Sequence, residues 1–248
     1  AANGLESLLS HENKKCVGIL NGIDTEVWNP ETDEFIEKNY SAKNIQTGKT
    51  ANKKWLCKQF GFSASKPLFA FIGRLVYEKG ADLLPTVLEE ILLKKECNIL
   101  ILGSGNSEVE NALENLKKKY KGVYNVFIGY DEKLSHLIYA GADFLLMPSR
   151  VEPCGLNQLY SLRYGTIPLV RSIGGLKDTV IDIEDGGFGF SHAEASEIDI
   201  SKTINRAVQF YKEERTFKKT RKYIMSIDHS WNVSAKQYID LYNSLKSG

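Results

Sequence analysis

The chain has 248 residues, of which 42% are hydrophobic and 10% aromatic, so it is long enough to bury a substantial core. Its 32 basic and 31 acidic residues leave a formal net charge of +1, which excludes a bulk electrostatic attraction to nucleic acid or to an anionic membrane. No apolar run approaches the roughly 20 residues of a membrane-spanning helix, and the N-terminus does not resemble a signal peptide. We therefore expect a folded soluble protein with neither nucleic acid nor a membrane as partner.

The four cysteines indicate the redox state of the compartment in which the protein works. Cys16, Cys57, Cys97 and Cys154 are far apart and form no Cys-x-x-Cys pair, which speaks against a zinc site or a disulfide framework. Such usage fits a reducing compartment, and we predict a cytoplasmic protein, or a plastid one if the source is a plant.

In chain order, the first 30 residues form a junction segment with a short strand-like stretch, 16–20, before a turn at Asn21 and Gly22. Residues 31–66 are mostly polar and hold one predicted helix, 50–60, which Gly61 closes. From 67 to 195, short apolar runs alternate with segments of helical period, as in a parallel sheet covered by helices.

Six strands are predicted, at 68–73, 98–102, 125–128, 144–147, 167–170 and 188–190. The helices between them are predicted at 83–95, 107–119, 133–140, 156–164 and 176–183. After residue 196 three amphipathic helices follow, at 200–211, 217–227 and 234–245. The fold class is therefore α/β: a single Rossmann-like domain over 1–248, with a doubly wound parallel sheet and extra C-terminal helices.

The first functional signal is a strand that runs into a loop with two cations, Arg74 and Lys79. In open α/β sheets, ligands bind beyond the carboxyl ends of the strands, where this loop is predicted to lie. Gly73 and Gly80 allow sharp turns or a close approach of the backbone to a ligand. An arginine fork and a lysine charge suit the two phosphates of a nucleoside diphosphate. The structural alternative is that Arg74 pairs with Glu78 and that Lys79 is merely solvated.

The second signal is the segment 147–159, again a strand end, a tight loop and a helix. Its loop carries Glu152, predicted at the same edge of the sheet as Arg74. A carboxylate there is partly desolvated and near the positive end of the next helix, which suits orienting a sugar or stabilising positive charge at an anomeric carbon. The backbone amides after Gly155 add contacts to an anion or hydroxyl. The alternative is that Glu152 caps the helix or pairs with Arg150.

The third signal is the pair Gly174 and Gly175, which follows the strand 167–170. Paired glycines at the start of a helix form an anion cradle from backbone amides and the helix dipole. The alternative is a turn that serves only the topology.

In this order, the three segments resemble the C-terminal domain of bacterial glycogen synthases and plant starch synthases. The longest matching motif is Pro-Ser-Arg-Val-Glu-Pro-Cys-Gly-Leu-Asn-Gln-Leu at 148–159, which continues through 163–168 to Gly-Gly-Leu-Lys-Asp-Thr-Val at 174–180. Shorter matches lie at 21–24, 28–33 and 230–231. The resemblance covers nearly the whole chain and implies the GT-B fold, in which two Rossmann-like domains face each other.

The resemblance implies an enzyme that transfers glucose from ADP-glucose, with retention, to the nonreducing end of an α-1,4-glucan. It makes Arg74 and Lys79 the ligands of the diphosphate and places Glu152 on the active-site acidic residue of the family. Tyr130 resembles the aromatic ring that stacks on adenine, with a rim aromatic that touches no ligand as the alternative. The implied sugar and phosphate pocket is lined by Gly73, Cys154, Gly155, Leu156, Gly174 and Gly175.

The sequence departs from the family at two pocket positions, with Asn157 in place of the usual Thr and Val151 in place of an aromatic. The N-terminal domain of the family, with its Lys-x-Gly-Gly loop and acceptor surface, has no counterpart. We therefore expect a donor-binding domain that binds ADP or ADP-glucose but does not turn over alone, the glucan being held by the missing domain.

No cofactor and no metal are expected. The sequence has no convincing Asp-x-Asp loop after a strand, and Asp182-Ile183-Glu184 is predicted to lie late in a helix, on the solvated surface.

Three alternatives stay open. A transferase of the same fold would use a UDP- or GDP-sugar. A dinucleotide oxidoreductase is suggested by Leu102-Gly103-Ser104-Gly105, although Glu108 replaces the third glycine of that motif. A non-catalytic nucleotide-binding module is the reading outside the enzymes.

Overall fold

The computed structural model describes residues 4–246. Its centre is a six-stranded, wholly parallel sheet in the order β3-β2-β1-β4-β5-β6. The strands are β1 (Leu68–Ile72), β2 (Asn98–Gly103), β3 (Tyr124–Ile128), β4 (Phe144–Met147), β5 (Ile167–Arg171) and β6 (Phe190–His192). The predicted fold class and all six strands are thus confirmed, the last one shifted by two residues.

Ten α-helices accompany the sheet within residues 4–246. They are α1 (Glu6–His11), α2 (Ile45–Phe60), α3 (Leu84–Leu93), α4 (Ser107–Lys119), α5 (Glu132–Gly141), α6 (Asn157–Arg163), α7 (Gly174–Thr179), α8 (Glu197–Lys212), α9 (Glu214–Ile224) and α10 (Trp231–Lys246). The three predicted C-terminal helices are confirmed, each beginning three residues earlier than the apolar pattern indicated.

Two apolar layers enclose the sheet because side chains of a strand alternate between its faces. On one face Phe69 and Phe71 of β1 pack with α3, α4, α8 and α9. On the other face Leu68 and Ala70 pack with α2, α5 and α7. Continuous burial of the strands therefore reflects helices on both faces, as the unbroken apolar runs predicted.

The strand order reverses between β1 and β4, which are neighbours although two strands separate them in sequence. Chains that leave these two strands run to opposite sides, so a crevice opens at their carboxyl ends. The predicted functional loops follow β1 and β4, and the topology brings them to this crevice.

The helix α2 begins at Ile45, five residues before the predicted start. Gly48 concealed this first turn, because glycine is a poor helix former. In the structure Gly48 lies directly against the Tyr40 ring, where a Cβ would overlap it, and Lys49 is buried. The predicted end is confirmed, since Gly61 closes the helix in the left-handed region at φ +71°.

The predicted strand at 16–20 is wrong: this segment is not a strand, and Val17 is 62% exposed. The junction segment is instead tied to the C-terminal helix. Ile23 N–H donates to His229 O at 2.8 Å, and Ser234 Oγ donates to Leu20 O at 2.7 Å.

The predicted helix 176–183 is wrong in its second half, because α7 ends at Thr179. Asp182 is buried rather than solvated, and its carboxylate accepts from Ser191 N–H at 2.6 Å and from Arg206 Nη2 at 2.6 Å. These bonds to β6 and α8 hold the backbone extended at Asp182, so the helix cannot continue through it.

Candidate functional site

Two loops meet at the carboxyl edge of the sheet, one after β1 and one after β4. Leu75 N–H donates to Ser104 O at 2.8 Å, which extends the β1 to β2 pairing into the first loop. Gly80 adopts φ +67°, and a Cβ there would overlap with the carbonyl oxygen of Pro148. The close approach of the two loops thus depends on a glycine at position 80.

The predicted residues Lys79 and Glu152 form an ion pair, although 73 positions separate them. Lys79 Nζ lies 2.6 Å from Glu152 Oε2, and Ser149 Oγ donates to the same oxygen at 3.1 Å. Glu152 is only 7% exposed. Within residues 4–246 its second oxygen, Oε1, accepts no hydrogen bond.

Arg150 fixes the loop after β4 without touching Glu152. Its guanidinium makes a two-bond contact with Asp82, Nη1 to Oδ1 at 2.5 Å and Nη2 to Oδ2 at 2.9 Å, and stacks 3.9 Å over the Tyr77 ring. The backbone N–H groups of Arg150 and Val151 both donate to Glu78 O. The alternative pairing of Glu152 with Arg150 is therefore wrong.

Arg74 is exposed, and in the part of the chain that the structure describes it makes no hydrogen bond or ion pair. The alternative pairing of Arg74 with Glu78 is therefore wrong as well. An exposed guanidinium keeps all of its donors for an anion.

A cleft of about 320 Å³ opens beside Arg74 over the ends of β1, β2 and β3. Its size falls in the range of small-molecule sites, about 300–1,000 Å³. We call it the donor cleft, after the role that we propose for it below; it is lined by Trp28, Ile72, Gly73, Arg74, Leu102, Gly103, Ser104, Gly129, Tyr130, Asp131, Glu132, Ser135, Tyr139, Asn157 and Tyr160. The predicted Tyr130 stands at this cleft with 84% of its surface exposed, so its ring is open to a flat ligand.

One wall of the donor cleft is an aromatic stack that we did not predict. The Trp28 ring lies between His136, at 4.0 Å, and Tyr160, at 3.9 Å, nearly parallel to both. Behind it the Asp33 carboxylate accepts from Tyr164 at 2.5 Å and contacts His136 Nδ1 at 2.8 Å. Trp28 belonged to a motif quoted for the resemblance, but no local pattern indicated that the junction segment reaches the cleft.

Buried hydrogen bonds keep the Asp33 carboxylate, behind this aromatic wall, negatively charged. Burial alone would raise the pKa of Asp33, but hydrogen bonds from His136 and Tyr164 outweigh it and lower that pKa. The carboxylate therefore stays ionised, and the stack remains anchored at neutral pH.

Asn157, one of the two departures from the family, joins both loops at the cleft. Its side-chain Nδ2 donates to Ile72 O, at the end of β1, at 2.7 Å. This bond ties the start of α6 to the β1 loop. The other departure, Val151, contributes its backbone N–H to the contact with Glu78.

The tight turn before α6 presents backbone donors. Cys154, Gly155 and Leu156 donate no backbone hydrogen bond within residues 4–246, and Gly155 lies in the left-handed region at φ +74°. These amides belong to the predicted anion-binding segment and follow Glu152 in the same loop.

Gly174 and Gly175 pack against the Glu152 loop. A Cβ on either would overlap with a backbone oxygen, that of Glu152 for Gly174 and that of Cys154 for Gly175. Gly175 N–H already donates to Glu152 O at 3.1 Å. Of the two predicted cradle amides only Gly174 N–H makes no hydrogen bond within the described residues, and both glycines pack closely against the Glu152 loop.

The glycines that suggested a dinucleotide oxidoreductase have a packing role too. A Cβ on Gly103 would overlap with Gly73 O, and Gly105 forms a bridge with Leu75. They allow the loop after β1 to lie against the end of β2, which removes the sequence argument for that alternative.

Residues 4–246 contain no group of three or more His, Cys, Asp or Glu side chains arranged to hold a metal ion. A search of the same residues also finds no helix long and apolar enough to cross a bilayer.

The parallel sheet with its crevice at the strand reversal has the Rossmann-like fold of GT-B glycosyltransferases. Residues 53–223 match the family of glycosyl transferases group 1, and the chain belongs to that family.

Relatives sharpen the assignment. The chain is 56% identical over 245 residues to glycogen synthase from Flavobacterium johnsoniae, covering 98% of the chain and 52% of that protein. It is 44% identical over 246 residues to glycogen synthase from Bacillus cereus strain B4264, covering 97% of the chain and 51% of that protein. The resemblance drawn from the motifs is confirmed, and the chain spans about half the length of the curated relatives it matches.

A solved structure supports the same family assignment. The catalytic domain of starch synthase IV from Arabidopsis thaliana, bound to ADP and acarbose, superposes with a TM-score of 0.90 at 38% identity. The match covers 99% of the chain and 52% of that structure.

Proposed function

We propose that this chain is the donor-binding domain of a hexosyltransferase that moves glucose from ADP-glucose to the nonreducing end of an α-1,4-glucan, with retention of configuration. The observation that carries the proposal is the Lys79–Glu152 ion pair at the carboxyl edge of the sheet, together with Arg74 in the loop after β1, which has no partner within residues 4–246. This places two cations and a carboxylate where a sugar diphosphate needs both signs of charge.

The reaction separates charge. The departing diphosphate gains negative charge while the anomeric carbon gains positive charge, so fixed groups of opposite sign lower the barrier. We assign the diphosphate to Arg74, Lys79 and the amides of Cys154 to Leu156. We assign the positive anomeric carbon to Glu152, whose Oε1 is unbonded within residues 4–246.

The nucleoside occupies the donor cleft in this proposal. Tyr130 is exposed at its mouth, and a flat ring covers a base at small entropic cost. Support for adenine comes from the starch synthase IV structure, which contains ADP. Because the cations and amides carry the charge of the leaving group, the proposed reaction requires no metal.

The acceptor side is proposed to lie in the part of the relatives that this chain does not span. Support comes from apolar side chains along α1 and α10. These helices leave Leu8, Ile239, Tyr242 and Leu245 exposed, and within the described residues α10 buries only Ser234. A face of this kind is typical of an interface with another domain.

Calorimetric titration with ADP, UDP, GDP and NAD tests the donor assignment. We expect ADP to bind, and Arg74→Ala to weaken it by about tenfold or more, since hydrogen bonds to charged groups contribute about 1.5–3 kcal/mol. Arg215→Ala is the matched control, because Arg215 is an exposed arginine on α9, away from the crevice. Binding of NAD without ADP, or full ADP affinity in Arg74→Ala, would overturn the assignment.

The same titration separates the alternatives. Preferential binding of UDP or GDP would identify a transferase with another donor. Unchanged ADP binding in EDTA supports metal independence, and a loss that Mg²⁺ restores contradicts it. In a glucosyl-transfer assay on glycogen we expect no turnover by this chain alone; measurable turnover would refute the claim that the acceptor side lies elsewhere.

A further inference from the structure

A second cleft, of about 520 Å³, lies at the opposite edge of the sheet. Pro67 and Asp143, which directly precede β1 and β4, mark this amino edge. Its charged lining consists of Lys49, Lys53, Lys54, Lys66, Lys212, Lys218 and Arg221 against Glu96, Asp143 and Glu214. We call it the basic cleft; seven basic side chains face three acidic ones in a chain whose net charge is only +1.

The floor of the basic cleft holds two buried cations and one buried carboxylate. Asp143 Oδ2 lies 2.6 Å from Lys53 Nζ, and its Oδ1 accepts from Arg221 Nη2 at 2.5 Å. All three side chains are less than a tenth exposed. One positive charge is therefore left without a counter-charge in a desolvated place, where such a charge is costly.

Arg221 has donor capacity to spare. Of its guanidinium nitrogens only Nη2 is hydrogen-bonded within residues 4–246, and Nε is buried without a partner. A guanidinium offers five N–H donors, so most of those at Arg221 are unused by the fold.

Lys49 is a third buried basic side chain of this cleft. Its Nζ donates to two neutral acceptors, Tyr139 O at 2.9 Å and Thr166 Oγ1 at 2.5 Å. Burial, and then the charge of Arg221, hold the pKa of Lys49 well below its usual value.

The rim adds four lysines that are exposed or, in the case of Lys66, half-buried. Lys54 and Lys66 make no ion pair within the described residues, and Lys212 donates only to the neutral Gln209 side chain, at 3.1 Å. Lys218 pairs with Glu214 in the same helix at 2.8 Å. The cleft therefore has cations at two depths, and those without carboxylate partners predominate.

We propose that the basic cleft is a second ligand site, which binds a small anion carrying two or more phosphoryl groups. One phosphoryl group meets Lys53 and Arg221 at the floor and another meets Lys54 and Lys66 at the rim, because phosphate oxygens accept charge-assisted hydrogen bonds from such groups. The concave shape suits a small molecule rather than a surface or a polymer.

This site is separate from the donor cleft. The two lie at opposite ends of β1, whose five residues span about 16 Å at about 3.3 Å per residue. The proposal does not rest on the donor assignment, since none of its residues lines the donor cleft.

The test is calorimetric titration of the chain with inorganic tripolyphosphate and, in a second arm, with a hexose bisphosphate. Besides any binding at the donor cleft, we expect at least one of them to bind at a site that persists in Arg74→Ala, with an affinity that falls as salt is added. The rim variant Lys54→Glu with Lys66→Glu should weaken binding by about a hundredfold, roughly tenfold for each charged contact. Binding of only one of the two compounds supports the site and shows which kind of molecule carries the phosphoryl groups.

Two controls keep the proposal falsifiable. Lys202→Glu with Lys236→Glu makes the same charge change at exposed lysines on α8 and α10 and should bind as the parent does. Thermal unfolding should show that every variant folds. No binding in either arm, an equal loss in the matched pair, or binding that disappears entirely in Arg74→Ala would overturn the proposal.

Discussion

At the carboxyl edge of the sheet Arg74 stands exposed without a partner in the described chain, whereas at the amino edge Asp143 is buried between Lys53 and Arg221. Both edges carry cations, but these cations differ in whether the protein itself supplies their partners. Arg74 leaves its donors to a ligand, whereas Lys53 and Arg221 join α2 and α9 to Asp143 at the start of β4. Removing the Asp143 charge should therefore destabilise the fold, and removing the Arg74 charge should not.

The largest effect is expected for Asp143→Asn. This change leaves Lys53 and Arg221 buried without their counter-charge, and breaking such a group costs about 3–5 kcal/mol of unfolding free energy. Urea denaturation at neutral pH measures it. Glu89→Gln, which breaks the exposed pair with Lys119, is the control and should leave the midpoint unchanged. Equal midpoints for both variants would erase the contrast between the buried and the exposed charges.

A smaller effect is expected for Gly175→Ala, at a close contact between two loops on the carboxyl edge of the sheet. Gly175→Ala forces a methyl group against the Cys154 carbonyl, which should cost about 1–3 kcal/mol and displace the Glu152 loop. Gly18→Ala is the control, because no atom lies within 4 Å of a Cβ at that position. Denaturation and ADP titration of both variants measure stability and loop position. If Gly175→Ala matched Gly18→Ala in both, the packing role of the paired glycines would be wrong.

Acid should destabilise the amino edge. Burial by itself would raise the pKa of Asp143, but Lys53 and Arg221 outweigh it and lower that pKa below the usual 3.8. The unfolded chain then binds a proton that the folded chain does not, so this stabilisation is complete above the unfolded value and is lost as pH falls through the folded value. One such proton changes the unfolding free energy by at most about 1.4 kcal/mol per pH unit.

Denaturation between pH 5 and pH 2.5, roughly the window for such a carboxyl group, measures this slope. The slope should be shallower in Asp143→Asn and unchanged in Arg74→Ala. Identical slopes in the parent and in Asp143→Asn would show that another group governs the acid response.

The smallest effect is expected for Arg74→Ala. Because Arg74 is exposed and makes no bond within residues 4–246, its loss should change the unfolding free energy by no more than about 0.5 kcal/mol. The same variant should lose ADP affinity, which separates a ligand-binding role from a structural one. A marked fall in its denaturation midpoint would contradict the contrast between the edges.

Local patterns were sufficient for the sheet and for most helices. The strands are short, apolar and separated by helical periods, so all six could be predicted to within two residues. The helix α2 was truncated because its first turn holds Gly48 and Lys49, whose places are set by Tyr40 and by the β4–β5 region rather than by propensity. The helix at 176–183 was extended too far because the partners of Asp182 lie in β6 and α8.

The residues of the site could be predicted from the sequence, but the contacts between them could not. Arg74, Lys79, Glu152 and Tyr130 follow successive strands, and the topology brings such positions to one edge. The pairing of Lys79 with Glu152 joins distant segments, and nothing in either segment favours it over a pairing with Arg150. Trp28 reaches the cleft because of the path that the junction segment takes. No periodic pattern in the sequence predicts that path.

The Trp28 stack gives the protein a built-in optical probe. The chain has only three tryptophans, and Trp28 is the one whose indole forms part of the donor-cleft lining, with an aromatic ring on each face. Trp55 is half-buried on α2 and Trp231 lies exposed at the start of α10. A base that enters the cleft changes the surroundings of one indole in three, so intrinsic emission can follow occupancy of the cleft in unlabelled protein.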